Sequence, residues 1–222
     1  MKKLEKYFDH TILKPQATFK DIKKVCDEAK LYQFHSVCVN GCHVKSAYEE
    51  LKETDILISC VIGFPLGANE TEIKAAEAQL AIKKGAKELD MVMNIGALKD
   101  KRYSYVEEDI KAVVAASKGK SIVKVILETC LLTPEEIVQA CNLAQKAGAH
   151  FVKTSTGFLG EGARAEHVKL MKDTVGDSLG VKASGGIRDL KTVQEMIAAG
   201  ADRIGTSASV AIMKEFEELL KG

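Results

Sequence analysis

The chain has 222 residues, with 32 basic and 31 acidic side chains; its formal charge is +1, and neither sign gathers into a block. Whole-molecule attraction to nucleic acid or to a membrane surface is therefore not expected, and any anion site must be local. With 46% hydrophobic and 28% charged residues and no apolar run long enough to cross a bilayer, the composition is that of a soluble globular protein.

The opening Met1-Lys2-Lys3-Leu4-Glu5-Lys6 has neither the apolar core nor the small-residue cleavage site of a signal peptide, so a cytoplasmic location is expected. Cysteines stand at 26, 38, 42, 60, 130 and 141, without CxxC pairs or a His-rich partner region. That spacing argues against a zinc site and a disulfide framework, and the thiols read as reduced. Three prolines and no tryptophan leave no Pro-rich linker or compositional break, so one domain over 1–222 is expected.

In chain order, strand-like runs fall at Asp9–Leu13, Ser36–Asn40, Ile56–Gly63, Glu88–Asn94, Ile122–Glu128, Phe151–Thr156, Gly180–Ser184 and Arg203–Ser207. Between them lie segments with apolar residues at helical spacing, such as Thr71–Lys84, Tyr103–Lys118, Thr133–Ala147 and Leu190–Ala199. Thr133-Pro134-Glu135-Glu136 carries a threonine cap, a proline in the first turn and acids near the positive end of the helix dipole. A helix, Gly-Ala, strand pattern recurs at Gly85-Ala86, Gly148-Ala149 and Gly200-Ala201, at intervals that suit two β/α units each. Strict alternation of strand and helix predicts a parallel sheet with helices outside it, and eight units predict a (β/α)8 TIM barrel. An open doubly wound sheet is the competing architecture, but no GxGxxG follows the first strand.

The sixth strand is the unusual one, because His150-Phe151-Val152-Lys153-Thr154-Ser155-Thr156 places a lysine inside a run expected to be buried. An ammonium held away from water finds an acid partner or loses its proton, and a neutral lysine is the nucleophile of imine chemistry. Alternation turns Lys182 of the seventh strand and Lys124 of the fifth inward, because their neighbours Val181, Ala183, Val123 and Val125 suit the helix layer. In the fourth strand Glu88 and Asp90 share the polar face. Four adjacent strands thus aim ionisable groups at one interior, where unpaired burial costs several kcal/mol per charge. Two lysines in matching register repel, which is expected to lower the pKa of the more buried one toward neutrality.

Two further stretches offer backbone N–H groups and hydroxyls for a phosphate: Ser184-Gly185-Gly186-Ile187-Arg188 after the seventh strand, and Gly205-Thr206-Ser207-Ala208-Ser209 after the eighth. In eight-stranded α/β barrels the loops after strands seven and eight often hold phosphate.

These motifs resemble those of the deoxyribose-phosphate aldolases, class I (Schiff-base) enzymes of deoxynucleoside breakdown. The likeness runs from Asp9-His10-Thr11 through Val37-Cys38-Val39, Gly63-Phe64-Pro65-Leu66-Gly67, Glu88-Leu89-Asp90-Met91-Val92 and Lys124-Val125-Ile126-Leu127-Glu128. It is most specific in Val152-Lys153-Thr154-Ser155-Thr156-Gly157-Phe158 followed by Lys182-Ala183-Ser184-Gly185-Gly186-Ile187-Arg188. The resemblance implies that Lys153 forms the imine, that Lys182 lowers its pKa and assists proton transfer, and that Asp90 gives and takes the proton. It further implies a substrate-side network of Asp9, Cys38, Lys124 and Thr156, a phosphate held by Gly185, Gly186, Gly205 and Ser207, and neither metal nor cofactor. Its substrates would be 2-deoxy-D-ribose 5-phosphate, acetaldehyde and D-glyceraldehyde 3-phosphate, and the protein would be a homo-oligomer, dimer or tetramer. One departure is local: where many members read toward Gly-Gly-Ala-Thr, this chain has Gly160-Glu161-Gly162-Ala163-Arg164. Another imine-forming barrel lyase, a phosphosugar isomerase or synthase, and a silent phosphate-binding module are the alternatives.

Overall fold

The alternation of strand and helix closes on itself in the computed structural model, which describes residues 3–221. Eight parallel strands, β1 (Phe8–Ile12), β2 (Ser36–Val39), β3 (Leu57–Ile62), β4 (Glu88–Val92), β5 (Ile122–Ile126), β6 (Phe151–Lys153), β7 (Gly180–Ser184) and β8 (Arg203–Thr206), pair in sequence order. The last returns to the first, with Asp9 opposite Gly205. That pairing makes the structure a (β/α)8 barrel and removes the open-sheet alternative. Outside it lie α1 (Phe19–Tyr32), α2 (Val44–Leu51), α3 (Thr71–Lys83), α4 (Ile95–Lys99), α5 (Tyr103–Ser117), α6 (Pro134–Lys146), α7 (Ala165–Val175), α8 (Leu190–Ala198) and α9 (Ser209–Leu219). Among the described residues no helix is long and apolar enough to cross a membrane.

Local chemistry sets the element ends. Thr133 and Glu136 form a reciprocal capping box with Pro134 at the first helical position, and Thr18 and Asp21 do the same for α1. The Gly-Ala repeat is one recurring helix terminator. In each copy the glycine takes a positive φ, and the alanine N–H reaches back five residues: Ala86 to the Ala81 carbonyl, Ala149 to Ala144 and Ala201 to Met196, at 3.0, 3.1 and 3.0 Å. The chain then turns straight into the next strand.

Most of the apolar core lies between barrel and helices, where Val123, Val125, Val152, Val181 and Ala183 point outward as alternation requires. A much smaller cluster of Leu13, Cys38 and Val61, with Phe64 against it, stands apart from this layer.

Two expectations need correction. The sixth strand ends at Lys153 instead of running to Thr156, so the lysine occupies the strand's carboxyl terminus and not its middle. Beyond it, side chains take over: the Thr154 hydroxyl both donates to the Ser184 carbonyl and accepts from the Ser184 N–H, each at 3.0 Å, while Glu128 accepts from the Thr156 N–H. Helix α3 has the expected span but not the expected face. It buries Lys74, Ala78 and Ala81 and exposes Ile73 and Leu80, because Lys74 turns in to meet Asp109 of α5 at 2.6 Å and the Val92 carbonyl at 3.1 Å.

Candidate active site

Side chains at odd and even positions of a barrel strand face opposite ways, and here the inward ones are charged. Asp9 (β1), Glu88 and Asp90 (β4), Lys124 (β5), Lys153 (β6), Lys182 (β7) and Arg203 (β8) are all buried inside the barrel. Register brings them together, since Asp90 pairs with Lys124 and Lys153 pairs with Lys182 on neighbouring strands, with Arg203 next to Lys182.

Six of these seven groups form a closed ring of alternating sign. Arg203 meets Glu88 at 2.9 Å, Glu88 meets Lys124 at 2.6 Å, and Lys124 meets Asp90 at 2.8 Å. Asp90 meets Lys182 at 2.7 Å, Lys182 meets Asp9 at 2.5 Å, and Asp9 returns to Arg203. Ser36 and Ser59 brace the ring, donating to Asp9 and Asp90 at 2.7 and 3.0 Å. Lys153 is the seventh group and stands outside it, donating at 2.9 Å to Asp90 Oδ2, the same oxygen that accepts from Lys182.

The two sets of groups respond to burial in opposite ways. Burial works against the charge of Asp90, yet Lys124, Lys153 and Lys182 outweigh it and hold the carboxyl well below the usual range. Lys182, Arg203 and Lys124 do the same for Asp9 against its burial. Glu88 is held down at about 2, chiefly by Lys124, against burial. For Lys182 burial favours the neutral amine, but Asp9 and Asp90 prevail and raise its pKa; Lys124 is raised in the same way by Asp90 and Glu88. At Lys153 burial prevails and the pKa falls, Asp90 opposing and Lys182 assisting. The lowering thus falls on Lys153, as the resemblance implies, and not on Lys182, which is the more buried of the two and is raised; the leading cause is removal from water, with repulsion from Lys182 second to it.

A cleft of about 920 Å³ opens at the carboxyl ends of β1, β6, β7 and β8. Of the seven charged groups only Lys153 lies on its wall, together with Thr156, Gly185, Gly186, Gly205 and Ser207. Asp9, Asp90, Lys124 and Lys182 stand behind that wall. Cys38 also stands behind it, packed with Leu13 and Val61, its thiol pushed up by burial. Thr156 is fixed by Glu128, which accepts from both its hydroxyl and its N–H.

The glycine loops are locked to one another. The Thr206 hydroxyl donates to the Ile187 carbonyl at 2.6 Å and accepts from the Ala208 N–H at 3.0 Å, tying the β7 loop to the entry of α9. The departing segment closes on the same place: the Ala163 N–H donates to the Gly185 carbonyl at 2.9 Å, and a Cβ on Gly162 would lie 2.0 Å from that oxygen. Gly205 has a second reason to lack a side chain, since a Cβ there would sit 2.9 Å from Lys182 Cε. Lys14, Lys24, Arg188 and Lys214 line the outer part of the cleft, so its mouth is cationic, with Asp21 and Glu28 the carboxylates among them.

Alternation had pointed to Glu88, Asp90, Lys124, Lys153 and Lys182, and the structure unites them. Arg203 was missed, although Arg203-Ile204-Gly205 has the same inward-outward pattern; it stood at a strand start, where a charge reads as solvated. Ser36, Ser59 and Glu128 carried no separate signal.

A barrel with an amine on its cleft wall and a carboxylate behind it agrees with what the sequence matches, for residues 3–215 fit the model of the DeoC/LacD family aldolases. The chain belongs to that family. The deoxyribose-phosphate aldolase of Clostridium novyi (strain NT) is 60% identical over 211 residues, covering 95% of each chain. That of Clostridium tetani (strain Massachusetts / E88) is 60% identical over 212 residues, covering 96% of this chain and 98% of its own. Among solved structures, the tetrameric deoxyribose phosphate aldolase from Aeropyrum pernix superposes with a TM-score of 0.90 at 32% identity, covering 96% of this chain and 90% of that one. The family aldolase fold and the cleft just described thus occur in one chain.

Proposed function

We propose that this family aldolase reversibly cleaves 2-deoxy-D-ribose 5-phosphate to acetaldehyde and D-glyceraldehyde 3-phosphate, with Lys153 as the nucleophile. The observation that carries the assignment is the position of Lys153: it is the one amine of the buried cluster on the cleft wall, and the one at which burial prevails over the neighbouring carboxylates and favours the neutral form. Neutral Nζ attacks the aldehyde carbon, and loss of water leaves a protonated imine. As the C2–C3 bond of the sugar breaks, its electron pair flows into that imine to give an enamine, and the C3 hydroxyl gives its proton by way of water to Asp90 as it becomes the aldehyde of the leaving triose phosphate. Protonation of the enamine carbon and hydrolysis then release acetaldehyde and restore the amine. Lys182 holds a proton close to this centre, and Asp90 Oδ2, 2.9 Å from Lys153 and 2.7 Å from Lys182, is placed to pass it between them.

The substrate phosphate is assigned to Gly185, Gly186, Gly205 and Ser207 at the entry of α9, with Thr156 on the facing wall and the cationic mouth drawing the anion in. Asp9, Lys124 and Cys38 act from behind the wall. The high identity to curated deoxyribose-phosphate aldolases supports this substrate over other sugar phosphates. A homo-oligomer is part of the same reading, supported by the tetrameric Aeropyrum pernix relative, and sedimentation at micromolar concentration tests it.

The decisive experiment is borohydride reduction in the presence of acetaldehyde, followed by peptide mapping. A stable ethyl adduct on Lys153 with loss of activity is expected. An adduct confined to another lysine, or none, defeats the assignment.

A further inference from the structure

The ring of six charges has an arithmetic consequence for the seventh. Asp9, Glu88 and Asp90 supply three negative charges; Lys124, Lys182 and Arg203 supply three positive ones, and every member touches a neighbour of opposite sign on both sides. The ring is neutral as it stands. A proton on Lys153 would leave this cluster of seven groups with one uncompensated positive charge, in a medium where charge is strongly felt; the nearby buried carboxylate Glu128 is turned to Thr156 instead.

We propose that Glu88 and Arg203 are positioning residues that set the protonation state of Lys153 from the barrel floor, by fixing the charge count of the ring it leans on. Neither reaches the cleft wall, and neither contacts Lys153. They act through the ring: Arg203 binds Glu88 and Asp9, Glu88 binds Lys124, Asp9 binds Lys182, and both lysines converge on Asp90, the carboxylate that accepts from Lys153.

Two other titratable groups face this network. Cys38 of β2 approaches from the side, its thiol kept neutral by burial, and His35 touches Glu88 Oε1 at 3.2 Å from a half-exposed position before β2. Neither replaces a ring member, because a thiol adds no charge and His35 touches Glu88 alone, leaving every ring contact in place.

The inference rests on Lys153 being the nucleophile, and its test separates the two claims. The probe is acetaldehyde with cyanoborohydride, and the readout is the initial rate of adduct formation at Lys153 by mass spectrometry across a pH series. Because every variant meets the same reagents, the reagents' own pH dependence cancels in the comparison with wild type. Glu88→Gln makes the ring positive and is expected to move the acid limb of Lys153 labelling to lower pH by about one unit, a tenfold faster rate at a fixed pH on that limb. Arg203→Met makes the ring negative and is expected to move it the opposite way by a similar amount. The double variant restores neutrality and should fall near wild type, while Arg203→Lys keeps the charge and should move the limb little.

A merely structural role for these residues predicts lower yield or a lower urea midpoint, not shifts of opposite sign. Coincident limbs, or shifts in the same direction for the two single variants, overturn the inference. If Arg203→Met does not fold, Glu88→Gln decides alone: a shift to lower pH supports the inference, and no shift or an upward one defeats it. Failure to label Lys153 in the wild type overturns the nucleophile assignment instead, and with it this inference.

Discussion

Two buried lysines in this molecule have opposite circumstances. Lys74, in the layer between α3 and α5, has a carboxylate to itself: Asp109 at 2.6 Å, braced by Thr71 at 2.9 Å, with the Val92 carbonyl taking another of its protons. Lys153, inside the barrel, has only a share of Asp90, already engaged by Lys124 and Lys182. Both are essentially out of water. Burial alone therefore does not separate the two amines; the number of cations that one carboxylate must serve does. A one-to-one pair holds two helices together, and an odd cation beside a neutral ring is free to give up its proton.

The contrast can be broken most severely at the amine itself. Lys153→Ala should lower kcat by at least about 10⁴-fold, with the far-UV circular dichroism spectrum and the urea midpoint close to wild type. Next comes the shared carboxylate. Asp90→Asn leaves Lys153 with no carboxylate, Lys124 with Glu88 and Lys182 with Asp9, so a kcat reduction of roughly 10²- to 10⁴-fold together with a loss of about 3–5 kcal/mol in urea-unfolding free energy is expected.

The outer pair should separate those two effects. Asp109→Asn leaves Lys74 without its counter-charge and should cost about 3–5 kcal/mol in the same urea assay, while the pH at which Lys153 becomes labelled stays where it was. Movement of that pH would mean the two lysines are not independent.

Stability against pH sharpens the comparison further. The ring carboxylates have folded pKa values below their ordinary ones, so their contribution is complete above the unfolded values near 3.8 and 4.5 and is lost as pH falls toward the value of about 2 held by Glu88. Lys153 is depressed as well, so between its folded pKa and 10.5 the unfolded chain binds the extra proton and stability rises with pH. Urea titrations should show an acid decline beginning below about pH 5; on the alkaline side the buried Cys26, Cys60 and Cys141 thiols, pushed up by burial, lower stability with rising pH while Lys153 raises it, so Lys153→Met should make the alkaline decline steeper than in the wild type. The smallest effect is at the clasp between loops: Gly162→Ala forces a Cβ toward the Gly185 carbonyl, and a several-fold higher KM for the phosphorylated substrate with kcat little changed is expected from steady-state kinetics.

Much of this was legible before any coordinates. Eight strands, their inward charges on β4 to β7 and the paired lysines follow from alternation, because a strand's period of two leaves no other face for Lys124 or Lys182. What stayed hidden was closure. The contact between Asp9 and Arg203 joins residues 194 positions apart, and nothing near either one announces the other. The face of α3 was also illegible, since an outward Ile73 and an inward Lys74 reverse the usual pattern for a reason held on α5. The sixth strand was drawn too long because Thr154–Thr156 have strand-like residue types, whereas Glu128 and Ser184 decide where the ladder stops.

The link that completes the ring spans the seam where the first strand meets the last. Balance of charge inside the barrel is therefore complete only when the first and last strands lie side by side, so whatever loosens that seam removes Arg203 from Asp9 and unbalances the interior along with the fold.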